Sequence, residues 1–163
     1  MNEVSPYPLW IGHAGDGRNF KEIFAKRIRV VVQLAMEEPA LTAPRELIYL
    51  RYPLKDGQGN QPGLLPLAIG AVAKLMEQKI PTLVCCGAGM SRSLVIVAAA
   101  LSVVRSEDFA DCLKQLVVGR PADVAPALFM DVRSALAQNR RSDETEAGQS
   151  DQDQSELPSP AGD

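Results

Sequence analysis

Residues 82–101 read TLVCCGAGMSRSLVIVAAAL. Thr82–Cys85 is a short apolar run rich in strand formers. It enters a loop of small residues. The loop then enters Ser93–Val104, a stretch so uniformly apolar that as a helix it must lie at the centre of a core. Strand, glycine loop and buried helix, in that order, build an anion site. Loop N–H groups converge there, and the helix N-terminus adds its partial positive charge. Cys86 stands at the base of this loop and Arg92 closes it. Arginine offers a planar, permanently charged fork that matches phosphate oxygens. Amides that hold an anion also favour a thiolate at Cys86.

Five residues separate Cys86 from Arg92. That length lets the loop wrap once around a tetrahedral dianion, with the sulfur on one side of phosphorus and the guanidinium on the oxygens. The arrangement suits in-line attack on phosphorus. Gly87 and Gly89 after a strand also suggest a dinucleotide fingerprint, but its third glycine position is Arg92 and little sheet follows. No Gly-Lys-Ser/Thr run occurs, so a nucleoside-triphosphate loop is excluded.

Outward from this segment, two periodicities alternate. β-rich runs occur at Leu9–Ile11, Val30–Leu34 and Leu47–Tyr52. Helical spacing governs Pro66–Lys79, where Ala68, Ala71, Val72, Leu75 and Met76 share one face. It governs Asp108–Val118 too, with Asp108 placed as cap and Gly119 and Pro121 as the stop. A last helix is expected over Leu128–Gln138 and a short early one over Asn19–Arg27. Strands alternating with helices predict an α/β fold: a central, mostly parallel sheet of about four or five strands with helices on both faces. The helix-rich second half is expected to cover both of those faces.

The chain has 163 residues and is 46% hydrophobic and 23% charged, the balance of one ordinary globular domain. The net charge of -3 conceals an asymmetry, because seven acidic and two basic residues lie from Asn139 onward. That segment has one leucine and no aromatic residue, so it is expected to be a disordered acidic tail (139–163) behind a single domain (1–138). The near-neutral body lacks the basic stripe of a nucleic-acid binder. No run is long enough for a membrane span, and the first residues lack the pattern of a signal peptide. Three cysteines argue against a disulfide framework and for a reducing cytoplasm. The single histidine leaves little for a metal site or a Ser-His triad. A monomer without metal or cofactor is expected, and the Cys86–Arg92 loop points to a partner that carries a phosphoryl group, on a protein or as a small phosphomonoester.

Residues 86–93, CGAGMSRS, match the C-x5-R-S/T signature of the cysteine-dependent protein tyrosine phosphatases, and Ala88-Gly89 with Ser91-Arg92-Ser93 resemble the dual-specificity branch. Leu9-Trp10-Ile11-Gly12, Val30–Leu34, Leu47–Leu54 with Asp56, and Arg120-Pro121 resemble further parts of that branch. The similarity spans roughly residues 9–137. It implies a phosphatase of phosphotyrosine and phosphoserine/threonine working through a phospho-cysteine. Cys86 would be the nucleophile. Arg92 and the amides of Gly87, Ala88, Gly89, Met90, Ser91 and Arg92 would bind phosphate. Ser93 would assist the departing sulfur, and Asp56 would be the general acid and then base. Asp56 lies in KDGQGNQPG, a glycine-rich loop expected to move over substrate.

Two positions depart from the family pattern. Cys85 stands where the family has histidine, and Pro126-Ala127 where the branch has a loop-supporting asparagine. Both changes remove support around the loop, so reduced activity is expected. They motivate the alternative of a phosphate-binding module without turnover. A rhodanese-like sulfurtransferase, with a persulfide on Cys86, is the third reading. Cys85 alternates with Cys86 along the strand and is expected in the core, as is Cys112. Asp16 and Asp108 read as caps, His13 as a surface loop residue, and Arg51 and Lys55 as solvated charges.

Overall fold

The computed structural model describes residues 1–150, without the side chains of 139–150. The elements in chain order are β1 (Asn2–Glu3), β2 (Leu9–His13), α1 (Ala14–Arg18), α2 (Phe20–Ala25), β3 (Val30–Ala35), β4 (Ile48–Leu54), α3 (Leu64–Glu77), β5 (Thr82–Cys86), α4 (Arg92–Arg105), α5 (Phe109–Val117) and α6 (Pro126–Ser150). The five strands form one sheet in the order β1-β2-β5-β3-β4. Only β1 is antiparallel. The α/β sandwich expected from the alternating periodicities is the fold found.

β3 and β5 lie inside the sheet and are buried along their whole length, so they read as continuous apolar runs. Successive side chains part to opposite faces. Val30, Val32, Val84 and Cys86 join the larger core with α3, α4, α5 and α6. Val31, Leu83 and Cys85 join a smaller core with Ile23 of α2 and Leu41 and Leu47 of the β3–β4 connection. Here the structure corrects one expectation. The later helices all pack on one face, and the other is covered by the early short helix and a loop. α4 is buried without interruption from Arg92 to Leu101 and on to Ser102, which makes it the hub of the larger core. At roughly 1.5–3 kcal/mol per buried Val, Leu or Ile, this helix outweighs any single surface contact in fixing the loop before it.

The expected early helix, Asn19–Arg27, is found as α2 (Phe20–Ala25), and a further short helix, α1, precedes it. His13 caps α1 with its ring nitrogen, and Asp16 returns a bond to the His13 N–H at 2.9 Å. Asp108 caps α5 as expected, accepting from Ala110 and Asp111 N–H groups. The last helix runs to Ser150, past the Asn139 at which disorder was expected. Extending an existing helix needs no new nucleus, and no proline interrupts that sequence before Pro158. The rest of the expected tail, 151–163, lies outside the described residues. No helix among the described residues is long and apolar enough to cross a membrane.

Candidate active site

The parallel register brings three strand ends together. His13 of β2 pairs with Cys86 of β5, and Gln33 of β3 pairs with Cys85. The loop 87–91 rises from that edge, as ligand-binding loops do in open parallel sheets. It is curled, not extended. Gly89 has φ +75, and a Cβ there would lie 2.8 Å from the Gly12 carbonyl oxygen, so only glycine lets the loop rest on the end of β2. The Gly87 carbonyl accepts from Ala14 N–H at 3.1 Å, and the Met90 carbonyl from Asp123 N–H at 2.9 Å. This main-chain bond ties the loop to the segment that precedes α6.

Cys86 and Ser93 face each other across the loop base, with Sγ and Oγ 3.3 Å apart. Both are buried. Ser91 occupies the N-cap of α4, yet its side chain makes no cap bond. Its hydroxyl donates instead to Asp56 Oδ1 at 2.5 Å. The first N–H groups of α4 are thus left without a side-chain cap, the condition in which a helix end takes an anion.

Arg92 is 3% exposed and held from two sides. Nη1 and Nη2 donate to the two carboxylate oxygens of Glu37 at 2.6 and 2.5 Å. Nη1 also donates to the Leu54 carbonyl at 3.0 Å. Nε is buried without a hydrogen-bond partner, 3.8 Å from Asp56 Oδ2. A guanidinium has five N–H donors in a fixed fork. Glu37 takes one from each terminal nitrogen and Leu54 a third. The Nε–H and the remaining Nη2–H form one open side-on edge, which matches two oxygens of a phosphoryl group. Burial opposes the charge on Arg92, but the bond to Glu37 and the negative charges of Cys86, Glu37 and Asp56 outweigh it and push the pKa up. In return, the Arg92 bond holds Glu37 below the usual carboxylate range.

Glu37 is the site residue that the sequence did not disclose. It sits in a bend after β3 that several side chains tie down. The buried Gln33 donates to the Pro39 carbonyl at 3.1 Å and accepts a hydrogen bond from the Tyr49 hydroxyl. Arg51 donates to the Glu38 carbonyl at 2.9 Å, and Arg18 pairs with Glu38 at 2.7 Å. Arg51 is exposed, as expected of a solvated charge, and also braces this bend. A glutamine inside the apolar run VVVQLA was the one local hint.

The structure brings Asp56 to the loop through Ser91 and leaves its side chain 43% exposed to solvent. Cys85 points to the opposite face, where its sulfur lies 3.0 Å from an ideal Cβ at Gly17. Burial and nearby negative charge push its thiol up to about 12. Cys112 lies in the core of the helical face, far from the loop in sequence and held by α5.

No protein-family model matches the chain, and no curated protein matches it. Solved structures do match. Human DUSP28 superposes with a TM-score of 0.71 at 20% identity, over 83% of this chain and 95% of that one. The fold is that of the dual-specificity phosphatases. DUSP15 matches with a TM-score of 0.68 at 23% identity, over 85% of each chain. The human tyrosine phosphatase-like serine/threonine/tyrosine-interacting protein matches with a TM-score of 0.69 at 17% identity, over 85% of this chain and 97% of that one. The dual-specificity phosphatase fold thus extends well beyond the signature loop, and it places Cys86 where β5 ends and the loop before α4 begins.

Proposed function

We propose that this protein is a cysteine-dependent phosphatase that hydrolyses phosphotyrosine and phosphoserine/threonine in proteins through a phospho-cysteine. One observation carries the reading. The Cys86 sulfur, the Ser93 hydroxyl, the open edge of Arg92 and the Asp56 carboxyl converge on one curled loop.

In this reading the Cys86 thiolate attacks phosphorus while the bond to the ester oxygen breaks. The amides of residues 87–92 and the free edge of Arg92 stabilise the equatorial oxygens. Asp56 gives its proton to the leaving oxygen. Water then attacks phosphorus from the vacated side and passes a proton to Asp56. The sulfur leaves as thiolate, stabilised by the Ser93 hydroxyl. The loop interior GAGMS has no lysine or arginine of its own, which favours a single phosphoryl group over a polyanionic headgroup. Three free, buried cysteines and a thiolate nucleophile fit a reducing compartment.

Release of phosphate from an aryl phosphate by the wild type, compared with Cys86→Ser, tests the proposal. A wild type no faster than Cys86→Ser ends it. A second reading, phosphate binding without turnover, is favoured by Cys85 standing directly before the nucleophile. It predicts phosphopeptide binding that Arg92→Ala abolishes, with no phosphate released.

A further inference from the structure

The connection from Lys55 to Gly63 joins β4 to α3 and carries Asp56. It holds three glycines in left-handed or related conformations: Gly57 at φ 152, Gly59 at φ 80 and Gly63 at φ 87. Such a loop reads in the sequence as a moving lid. The hydrogen bonds give it an internal frame. Asn60 Oδ1 accepts from the Lys55 N–H at 2.8 Å. Its Nδ2 donates to the Lys55 carbonyl at 3.3 Å and to the Gly57 carbonyl at 3.1 Å. One amide side chain therefore grips the residues on both sides of Asp56. The glycines serve the tight reversal that returns Asn60 onto the chain it left.

We propose that Asn60 is the positioning residue for the general acid: it clamps Lys55 and Gly57 so that the Asp56 carboxyl is already set against Ser91 and Arg92. The proposal rests on the reading of Asp56 as the acid. Asn60 touches no reacting atom. It acts through the backbone that carries Asp56, and a displacement of about 1 Å at such a group can cost on the order of 100-fold in rate. The amide is suited to the task because it supplies one acceptor and two donors at once. Neither a carboxylate nor a hydroxyl makes that set.

The test compares kcat/KM for phenyl phosphate, a poor leaving group that needs a proton, with 4-nitrophenyl phosphate, which leaves without one. Wild type, Asn60→Ala, Asn60→Asp and Asp56→Asn are measured, with melting temperatures recorded alongside. Asn60→Ala is expected to lose about 10-fold or more on phenyl phosphate and about 2-fold or less on the nitrophenyl ester. Asn60→Asp keeps the acceptor but not the donors, and is expected to show the same preference at smaller size. Asp56→Asn sets the upper limit of that preference. Equal losses on both esters in the two Asn60 variants, with the preference present in Asp56→Asn, would overturn the positioning role while sparing the acid. No preference in Asp56→Asn removes the acid and this role together.

Discussion

Glu37 grips the Arg92 guanidinium end-on, at 2.6 and 2.5 Å, and so leaves the Nε side of the fork open. A guanidinium on a flexible stem has many orientations. The carboxylate removes all but the one that presents two N–H groups together. Glu37→Ala is therefore expected to lower kcat/KM by about 10-fold or more, roughly 1.4 kcal/mol of transition-state binding. Steady-state kinetics checks this, and a rate equal to the wild type would show that Arg92 is oriented without its partner.

The same pair predicts an acid limb. Arg92 depresses the Glu37 pKa, so its contribution is fully present above the unfolded carboxylate value and is lost as pH falls through the lower folded one. The difference in melting temperature between wild type and Glu37→Gln should be constant above about pH 5 and shrink below about pH 4. A difference that grows on acidification contradicts the sign.

Gly89 rests against the backbone of Gly12 and His13. A methyl group there meets main chain that cannot step aside. Gly89→Ala should lose activity on the order of 100-fold. It should also lose protection of Cys86 by vanadate, while the far-ultraviolet circular dichroism stays native. Retained protection would mean that the loop tolerates a side chain.

Ser91 spends its hydroxyl on Asp56 and none of it on capping α4. Ser91 is buried and its partner carboxylate can turn to water, so Ser91→Ala should cost about 0.5–1.5 kcal/mol, the worth of one hydrogen bond. The variant should also slow phenyl phosphate several-fold more than the nitrophenyl ester. A drop in melting temperature with no such preference would assign the hydroxyl to the helix instead.

The three thiols should separate by chemistry. Cys85 is pushed up to about 12 and Cys112 up to about 11, chiefly by burial. Iodoacetamide at about pH 8 should modify native protein once, at Cys86, and vanadate should block that label. Mass spectrometry of the peptides decides it. Early labelling of Cys85 would place a reactive thiol on the wrong face of the sheet.

The parts legible in the sequence are those written as local pattern. The apolar run before CGAGMSRS could only be an interior strand, and the stretch after it only a buried helix. Their junction fixed where Cys86, Ser93 and Arg92 meet. The partner of Arg92 was not legible, because Glu37 is 55 residues away and reaches the site through a bend whose shape depends on Gln33, Tyr49 and Arg51 acting together. The frame around Asp56 was hidden for a related reason. The conformational freedom of its glycines is visible in a sequence, whereas the Asn60 bonds that use it appear only in three dimensions.

The sulfur and the guanidinium stand on unequal ground. Cys86 ends β5, which has a neighbour on each side, while Arg92 leans on the Leu54 carbonyl of β4, which pairs only with β3. Fraying of that border strand would release the arginine first. Warming or mild urea should therefore weaken the hold on oxyanions at a point where the interior strand, and the thiol it ends on, are still enclosed.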